Sequence, residues 1–364
     1  MKKISKKQRA FAAESKPEKI VGLDLGDRYS HYCMLTASGE LMEEGRIRST
    51  IAALEKQFAN EPRMRIALET GTHSPWVSRL LERHGHQVIV ANARKIPVIT
   101  ASESKNDRND AEQLARMAAF DPKLLHPVEH RSLERQQDLN LVHTRSVLVR
   151  ARTMLINSVR GLVKSGGGRL PACSSAAFPG KAREVIPEVL KMACEPLLEQ
   201  IAQMNRGIGE MDRQVEGLDK KYPEISILRT APGVGPVVAA CYVLTLDRAE
   251  AMETNRQAGA YLGLRPRQQQ SGDSNPQRGI AKTGNNYLRS LLVQSAQYIL
   301  GRFGPDSELR RWGLKLAASG GKRGKKRAIV AVARKLAVLL LSMWRNRRKF
   351  EPFPQAAAGL TVAA

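Results

Sequence analysis

The sequence predicts an α/β domain at the N-terminus, then a long, coiled-coil-like helical middle, then a mostly α-helical C-terminal domain. Two observations predict this order. Short apolar runs rich in β-branched residues alternate with helical stretches up to Ala119. From His130 onward, apolar residues recur at helical spacing, and neither Gly nor Pro occurs until Gly161. The predicted boundaries are a basic arm at 1–18, an α/β domain at 19–125, a helical hairpin or coiled-coil arm at 130–221, a C-terminal domain at 224–346 and a tail at 347–364.

The α/β domain is predicted to begin with three strands and then to alternate helices with strands. Each strand is a short apolar run, and turn residues such as Ser38-Gly39 separate the first ones. Ser74 is expected to cap a helix whose first position is Pro75. In chain order we predict strands at Lys19–Leu25, Ser30–Thr36 and Leu41–Ile47, a helix at Ile51–Phe58, a strand at Met64–Glu69, the helix after Ser74, a strand at Gln87–Ala91 and a helix at Asp107–Ala119.

Two long helical runs, His130–Lys164 and about Glu188–Lys220, make up the middle of the chain, and the Gly-rich segment Ser165–Arg169 separates them. Such a pair predicts an antiparallel hairpin or a coiled-coil arm; two ordinary helices of a bundle are the alternative. A protruding arm would suit dimerisation. The C-terminal domain is expected to be mostly helical, with a Gly- and Gln-rich interruption at 263–284.

The charge of the chain predicts a polyanionic partner. Its 59 Lys and Arg residues outnumber 35 Asp and Glu residues, which gives a formal net charge of +24. We expect the partner to be nucleic acid, because each neutralised phosphate releases condensed counterions. A basic protein that merely sits on ribosomes or acidic lipid is the alternative. Hydrophobic residues make up 42% of the chain, so it can bury real cores.

Three features predict a soluble cytoplasmic protein that does not span a membrane. The basic N-terminal segment lacks the long apolar core of a secretory signal. The four cysteines are scattered without a C-x-x-C pair, which fits a reducing compartment. The most apolar late stretch, Ala328–Trp344, carries Arg334 and Lys335 in its middle and has apolar residues at helical spacing. It is therefore predicted to be an amphipathic packing helix.

Four carboxylates stand at positions typical of a divalent-metal site. Asp24 ends the first strand, where Gly22 leaves room for a phosphate or a backbone to approach. Glu69 ends a later strand, and Asp107 and Asp110 lie three apart at the start of a helix, so they share one face. Such oxygen ligands suit Mg²⁺ or Mn²⁺, which can activate a nucleophile in phosphodiester chemistry. Taken singly, each acid is more often a turn or cap residue.

The order of these acids resembles that of the ribonuclease H-like nucleases. A strand with Asp, hairpin strands, a strand with Glu and then a helix with D-x-x-D form the arrangement of a RuvC-like domain, the Holliday-junction resolvase type. The segment Lys105–Leu114 (KNDRNDAEQL) looks specifically like the DEDD transposases of bacterial insertion sequences. The resemblance implies that all four acids hold metal.

Two segments of the C-terminal domain extend this resemblance. Thr230–Ala240 (TAPGVGPVVAA) has the G-x-G rhythm of a helix-hairpin-helix turn, which presents backbone N–H groups to a phosphate; a tight turn between packed helices has the same pattern. Gly259–Gly272 (GAYLGLRPRQQQSG) and Arg278–Leu288 (RGIAKTGNNYL) resemble the C-terminal transposase domain of those elements. In that family the Ser of the Q-S-G segment is the recombination nucleophile. The matching residue here is Ser271, and Ser274 is its local competitor.

The residues around Ser271 suit this role. The segment is polar and Gly-flanked, and no His lies near it in sequence to serve as a base, so metal bound by the other domain is the expected activator of the hydroxyl. Ser271 is therefore expected to meet the carboxylates in space, from the same or a different protomer. Five cations nearby are predicted to hold the scissile and neighbouring phosphates: Arg265, Arg267, Arg278, Lys282 and Arg289.

The resemblance implies an enzyme that cuts and rejoins the DNA strands of a mobile element, guided by a structured RNA that pairs with donor and target DNA. The cluster Lys322–Arg327 (KRGKKR) is compatible with RNA binding, although such a run of charges is usually only a solvent-exposed surface. Four strands require several active sites, hence a homodimer or homotetramer. The alternatives are a site-specific DNA invertase with the same domains, a junction-resolving nuclease that uses water, and a non-catalytic nucleic-acid-binding protein on a decayed nuclease fold.

Overall fold

The computed structural model describes residues 17–92, 96, 107–268, 276, 278–319 and 321–354, apart from the side chain of Lys322. These residues form two compact units, divided in the chain between Arg131 and Ser132. Ser271, Ser274 and most of the two predicted terminal segments lie outside the described residues.

The N-terminal unit is built on a five-stranded sheet that combines antiparallel and parallel pairs. The strands are β1 (Lys19–Asp24), β2 (Tyr29–Thr36), β3 (Leu41–Arg48), β4 (Arg65–Glu69) and β5 (Gln87–Ala91). They lie in the order β3-β2-β1-β4-β5. The first three form an antiparallel meander, whereas β4 and β5 extend the sheet in parallel from β1. This mixed sheet fits the predicted ribonuclease H-like fold, and the five predicted strands are confirmed to within one residue at each end.

Helices cover both faces of this sheet, because its central strands are apolar on both sides. The helices α1 (Ile51–Phe58) and α2 (Ser74–Arg83) lie on one face, in a core that includes Leu23, Phe58 and Ile66. The helix α3 (Asp107–Phe120) lies on the other. The prediction that Ser74 is an N-cap is wrong by one position: His73 is the cap residue, and the Ser74 hydroxyl instead bonds to the backbone of Gly71.

The second unit begins with two long antiparallel helices. They are α4 (Leu133–Ser165) and α6 (Glu188–Gly217). Val142, near the start of α4, shares a core with Val215, near the end of α6. At the other end of the pair, Val163 shares a core with Leu198. A polar link between the Arg145 guanidinium and Asp212 joins the two helices between these cores.

A short helix that the sequence analysis did not predict, α5 (Phe178–Val185), closes the far end of this pair. Phe178 and Ala182 are buried there against α4 and α6. The Gly-rich segment is thus only the first part of a longer connection.

The C-terminal helices share one buried core with the adjoining half of the helix pair. Leu139 and Leu218 belong to the same cluster as Tyr242 and Leu336, so the predicted domain boundary near residue 222 does not separate two cores. The Tyr242 hydroxyl, fully buried, donates to the Ala337 carbonyl at 2.5 Å. These helices are α7 (Pro223–Leu228), α8 (Pro236–Leu246), α9 (Arg256–Tyr261), α10 (Asn286–Leu300), α11 (Glu308–Ser319) and α12 (Gly324–Asn346).

The packing role predicted for the last apolar stretch is confirmed. Val332, Leu336 and Leu340 on α12 are fully buried. Among the helices that the structure describes, none is both long and apolar enough to cross a membrane.

Candidate functional site

Two of the predicted metal ligands end neighbouring parallel strands at the centre of the sheet. Asp24 is the last residue of β1, and Glu69 is the last residue of β4. The two strands pair in parallel, with Leu23 opposite Leu68, so both carboxylates emerge at the same edge. Neither residue is fully buried. The sheet topology therefore brings together two acids that are 45 positions apart in sequence.

The helix α3 brings the other two acids toward this edge because its backbone lies directly on β1. A Cβ atom at Gly22 would stand 1.9 Å from the Ala111 carbonyl oxygen and 2.5 Å from the Ala115 nitrogen, so only glycine permits this approach. The space that the sequence analysis left open for a phosphate or a backbone is therefore filled by the helix. Asp107 and Asp110 form the first turn of α3, just before these contacts.

A histidine that the sequence analysis missed lies near two of these acids. His31 on β2 is the cross-strand partner of Asp24, and its Nδ1 lies 3.7 Å from Oδ2 of Asp107. This nitrogen is shielded from solvent and makes no hydrogen bond within the described part of the chain. The sequence does not predict that His31 lies near Asp24, seven residues before it. The two residues become neighbours only because the chain turns between β1 and β2.

The four acids differ in exposure. Asp110 is buried, at 6% exposed, whereas the Asp107 side chain is 68% exposed. One carboxylate oxygen of Asp110 and one of Glu69 are shielded from solvent. Attraction to a divalent cation is stronger where water is partly excluded. The edge therefore combines two sheltered oxygens with two more accessible carboxylates.

The donor set suits a hard divalent cation such as Mg²⁺, which takes carboxylate oxygen ligands. Within the described residues, however, no three His, Cys, Asp or Glu side chains stand close enough to form a closed metal cage. The backbone thus brings the four acids toward one edge of the sheet without assembling a metal cage. The candidate ligands at this edge are Asp24, Glu69, Asp107 and Asp110.

The predicted nucleophile, Ser271, lies outside the described residues, but the two chain segments that flank it are joined. The Arg267 N–H donates to the Gly279 carbonyl at 3.0 Å, and the Ala281 N–H donates to the Arg265 carbonyl at 2.9 Å. Pro266 and Ile280 form a bridge between them. We call residues 263–267 and 279–282 the serine-loop stem. The stem fixes where the segment carrying Ser271 leaves and re-enters the C-terminal unit.

Four of the five predicted phosphate-binding cations are exposed on or beside this stem: Arg265, Arg267, Arg278 and Lys282. The fifth prediction, Arg289, is wrong. Its guanidinium is buried, with the residue 8% exposed, and donates to the carbonyls of Leu262 and Thr283 at 3.0 and 2.7 Å. Arg289 therefore holds the residues that flank the stem, Leu262 and Thr283, against α10, and its burial leaves little of it accessible to a phosphate.

The predicted helix-hairpin-helix segment forms a tight turn between α7 and α8. Gly233 there has φ +71° and lies against α10, and the Ser295 hydroxyl donates to its carbonyl at 2.7 Å. The turn borders a pocket of about 460 Å³ whose lining includes Arg229. The G-x-G pattern thus forms a tight turn packed against α10, and its contact with a phosphate stays a prediction.

Two family descriptions match the chain, one over the N-terminal unit and the helix α4, the other within the C-terminal unit. Residues 21–166 match a DEDD transposase domain of the IS110 type, described as a transposase. Residues 225–310 match the transposase IS116/IS110/IS902 family. The first match spans all four acids and the second spans Ser271, so both sequence signatures fall within matched segments.

Curated relatives cover most of the chain. The transposase for insertion sequence element IS1111A of Coxiella burnetii is 26% identical over 91% of this chain and 91% of its own length. A probable family 20 transposase of Pseudomonas aeruginosa is 28% identical over 81% of this chain and 88% of its own. The pilin gene-inverting protein of Moraxella bovis is 24% identical over 78% of this chain and 80% of its own.

Proposed function

From the membership of this chain in the IS110/IS116 family of insertion-sequence transposases, we propose that it exchanges DNA strands through a covalent link to Ser271, assisted by divalent metal at the four acids. Transposases act on DNA, and the relatives support a DNA transposase or recombinase activity. The observation that carries the finer proposal is the delivery of Asp24, Glu69 and the first turn of α3 to one edge of the sheet.

Divalent metal, when bound, supplies positive charge that favours a deprotonated hydroxyl and stabilises the phosphodiester under attack. Asp24, Glu69, Asp107 and Asp110 would hold it, with the buried Asp110 as the least hydrated ligand. His31, 3.7 Å from Asp107, would orient that carboxylate toward the edge.

In the proposed reaction the Ser271 oxygen loses its proton and bonds to the phosphorus of a DNA phosphodiester. The bond from phosphorus to the 3′ oxygen breaks, and that oxygen takes up a proton. A 3′ hydroxyl from another strand then attacks the phosphoserine and releases Ser271 unchanged. The number of phosphodiester bonds is conserved, so no water or energy source is consumed.

The experiment that tests this function is the trapping of the covalent adduct. Protein incubated with labelled DNA of the element ends and Mg²⁺ is denatured, and we expect a protein–DNA band in the original chain that Ser271→Ala removes. Ser274→Ala, the neighbouring serine in the same segment, is the matched control and is expected to keep the band. If Ser271→Ala keeps the band and Ser274→Ala loses it, Ser274 is the nucleophile. If Ser271→Ala cleaves DNA and no adduct forms in any variant, water is the nucleophile and the protein is a junction-resolving nuclease. If no substrate is ever cleaved, it is a non-catalytic binding protein.

Inversion of a DNA segment is the second candidate, because pilin gene-inverting proteins are among the relatives. Inversion and transposition use the same chemistry and differ in the arrangement of sites. A plasmid that carries two sites in inverted orientation distinguishes them: an invertase flips the segment, whereas a transposase excises the element from its flanks.

We further propose that a structured RNA guides the reaction, supported by the net charge of +24 and the family resemblance. RNA that copurifies with the protein would be digested with ribonuclease, and strand exchange should then be lost and return on adding back the RNA. Exchange that survives complete digestion would contradict guidance.

Assembly into a dimer or tetramer is supported by the far end of the helix pair. Val189 and Met192, one helical turn apart on α6, are 89% and 90% exposed, and Val185 beside them is 48% exposed. Light scattering of the purified protein should give a mass of two or four chains, and Val189→Asp with Met192→Asp should reduce it. An unchanged mass would place the contact elsewhere.

A further inference from the structure

A cleft in the C-terminal unit lies beside the serine-loop stem and, among the residues that the structure describes, shares only Arg278 with the predicted site. Its walls are α9, the stem, α11 and α12, and its volume is about 1080 Å³. Pro266 and Ile280, which form the bridge of the stem, line it. Because Ser271 lies between these two residues in the chain, the cleft adjoins both ends of the segment that carries the nucleophile. We call it the basic cleft.

Cations surround the basic cleft. No Asp or Glu lines it within the described residues. The lining cations on α12 fall in two adjacent pairs, at 326–327 and 334–335, which lie eight residues apart. One stripe of the helix therefore faces the cleft, whereas Val332 and Leu336 on another face enter the core. The exposed cations of the lining include Arg256, Arg278, Arg323, Lys326, Arg334 and Lys335.

The floor of the basic cleft is apolar rather than charged. Leu264, Val330 and Val338 line it together with the stem residues. Trp312 on α11 also lines it and is 37% exposed, with the Lys335 ammonium 4.6 Å from the centre of its ring. An aromatic ring and apolar surface surrounded by cations is the combination that binds a single nucleic-acid strand: bases contact the floor while phosphates meet the rim. A duplex hides its bases, so it would make little use of this floor.

We propose that the basic cleft binds a single-stranded DNA segment adjoining the phosphodiester that Ser271 attacks. This inference rests on the proposed function for the identity of the strand. The cations of the rim hold its phosphates, and Trp312 contacts one of its bases. The cleft thereby positions an unpaired strand at the stem, whereas the acids of the N-terminal unit serve the chemistry.

The test is a binding measurement without divalent metal, so that it does not depend on cleavage. Fluorescence anisotropy of a labelled 15-nucleotide single strand is compared between the original protein, stripped of nucleic acid, and the triple variant Arg323→Ala, Lys326→Ala and Arg334→Ala. We expect affinity to fall about tenfold or more. The plot of log affinity against log salt should become shallower by about 2, since each lost phosphate contact on a single strand removes about 0.7.

The matched control removes the same charge from exposed positions outside the cleft, by Lys315→Ala, Lys325→Ala and Lys349→Ala. It should keep most of the affinity and of the salt dependence. Equal losses in the two triple variants would overturn the proposal, because they would show that net charge alone governs binding. Thermal unfolding verifies that both variants fold.

Two further measurements identify the kind of nucleic acid that the cleft binds. Tryptophan fluorescence should be quenched by the single strand, and Trp312→Phe should remove that part of the quenching; quenching that is unchanged in Trp312→Phe would contradict the base contact. The same triple variants are measured with RNA of equal sequence and with duplex DNA. A loss confined to RNA or to the duplex would overturn the assignment to a single DNA strand.

Failure of this proposal is distinguishable from failure of the proposed function. If Ser271→Ala removes the covalent adduct while both triple variants bind DNA alike, the proposed function is supported and the proposed binding role of the cleft is wrong. If the cleft variant loses binding but no adduct ever forms, the cleft stands as a binding site without the chemistry.

Discussion

His31 and Asp107 come together across 76 positions of sequence: Nδ1 of the histidine lies 3.7 Å from Oδ2 of the carboxylate. The same histidine is opposite Asp24 in the sheet. His31 on β2 therefore lies between two of the predicted metal ligands: it is opposite Asp24 in the strand register and close to Asp107 at the start of α3.

A first prediction concerns this histidine. His31→Ala is expected to lower strand cleavage by about 10- to 100-fold, the effect typical of losing a group that orients a metal ligand. His31→Gln keeps a polar group near Asp107, so it should cleave faster than the alanine variant. It should also need a lower Mg²⁺ concentration for half-maximal cleavage than the alanine variant does. A purely structural role would instead lower the melting temperature of both variants without changing the Mg²⁺ dependence.

A second prediction concerns the buried acid. Asp110→Asn should lower cleavage by about 100-fold or more, because a neutral amide loses several kcal/mol of attraction for the cation. Cleavage of labelled DNA across a Mg²⁺ titration measures it. Glu112→Gln on the same helix is the control, since that carboxylate pairs with Arg116 at 2.7 Å. Cleavage that survives in Asp110→Asn would remove this residue from the metal site.

A third prediction concerns the contact between β1 and α3. Gly22→Ala should destabilise the N-terminal unit by about 1–3 kcal/mol, because the added methyl meets the Ala111 carbonyl and forces the helix away. Urea unfolding measures the loss. Gly71→Ala, where a Cβ meets nothing within 4 Å, is the control. Equal stability of the two variants would show that α3 does not depend on this approach.

A fourth prediction separates a structural arginine from a binding one. Arg289→Ala should cost about 1–3 kcal/mol of stability, since it leaves the buried Leu262 carbonyl and the partly buried Thr283 carbonyl without this donor. Arg278→Ala, at an exposed position, should leave stability unchanged and weaken DNA binding. Thermal unfolding and anisotropy of the two variants check this. If Arg289→Ala instead weakened DNA binding without lowering stability, Arg289 would be a phosphate-binding residue after all.

A fifth prediction concerns pH. Burial lowers the pKa of His86 below its ordinary value of 6.5. Its Nδ1 accepts from the Met64 N–H at 3.3 Å, and its Nε2 donates to the Phe58 carbonyl at 2.9 Å, an arrangement that requires the neutral ring. Above pH 6.5 both folded and unfolded chains hold this histidine neutral. Below pH 6.5 this histidine is protonated in the unfolded chain but stays neutral in the folded chain, so the free energy of unfolding falls as the pH falls.

His86→Gln is expected to flatten this dependence, because an amide can both accept and donate without titrating. Melting temperatures between pH 7.5 and pH 5 (a range of about two and a half units around the ordinary pKa) compare the variant with the original chain. A parallel fall in both proteins would show that other groups govern the acid sensitivity.

The sequence by itself determined the strands, the long helices and the identity of the four acids. A continuous apolar run and apolar residues at helical spacing are local properties, so β1 and α12 could be predicted from neighbouring residues, and acids at strand ends follow from where each apolar run stops. The packing partner of a side chain is not local. Only the tertiary structure placed His31 beside Asp107, buried Arg289 against the residues that flank the stem, and filled the space at Gly22 with α3. It also brought cations of α9 and α12 and Arg278 around one cleft. Those outcomes depend on which surfaces meet when the elements pack, and residues far apart in sequence carry no periodic signal of that meeting.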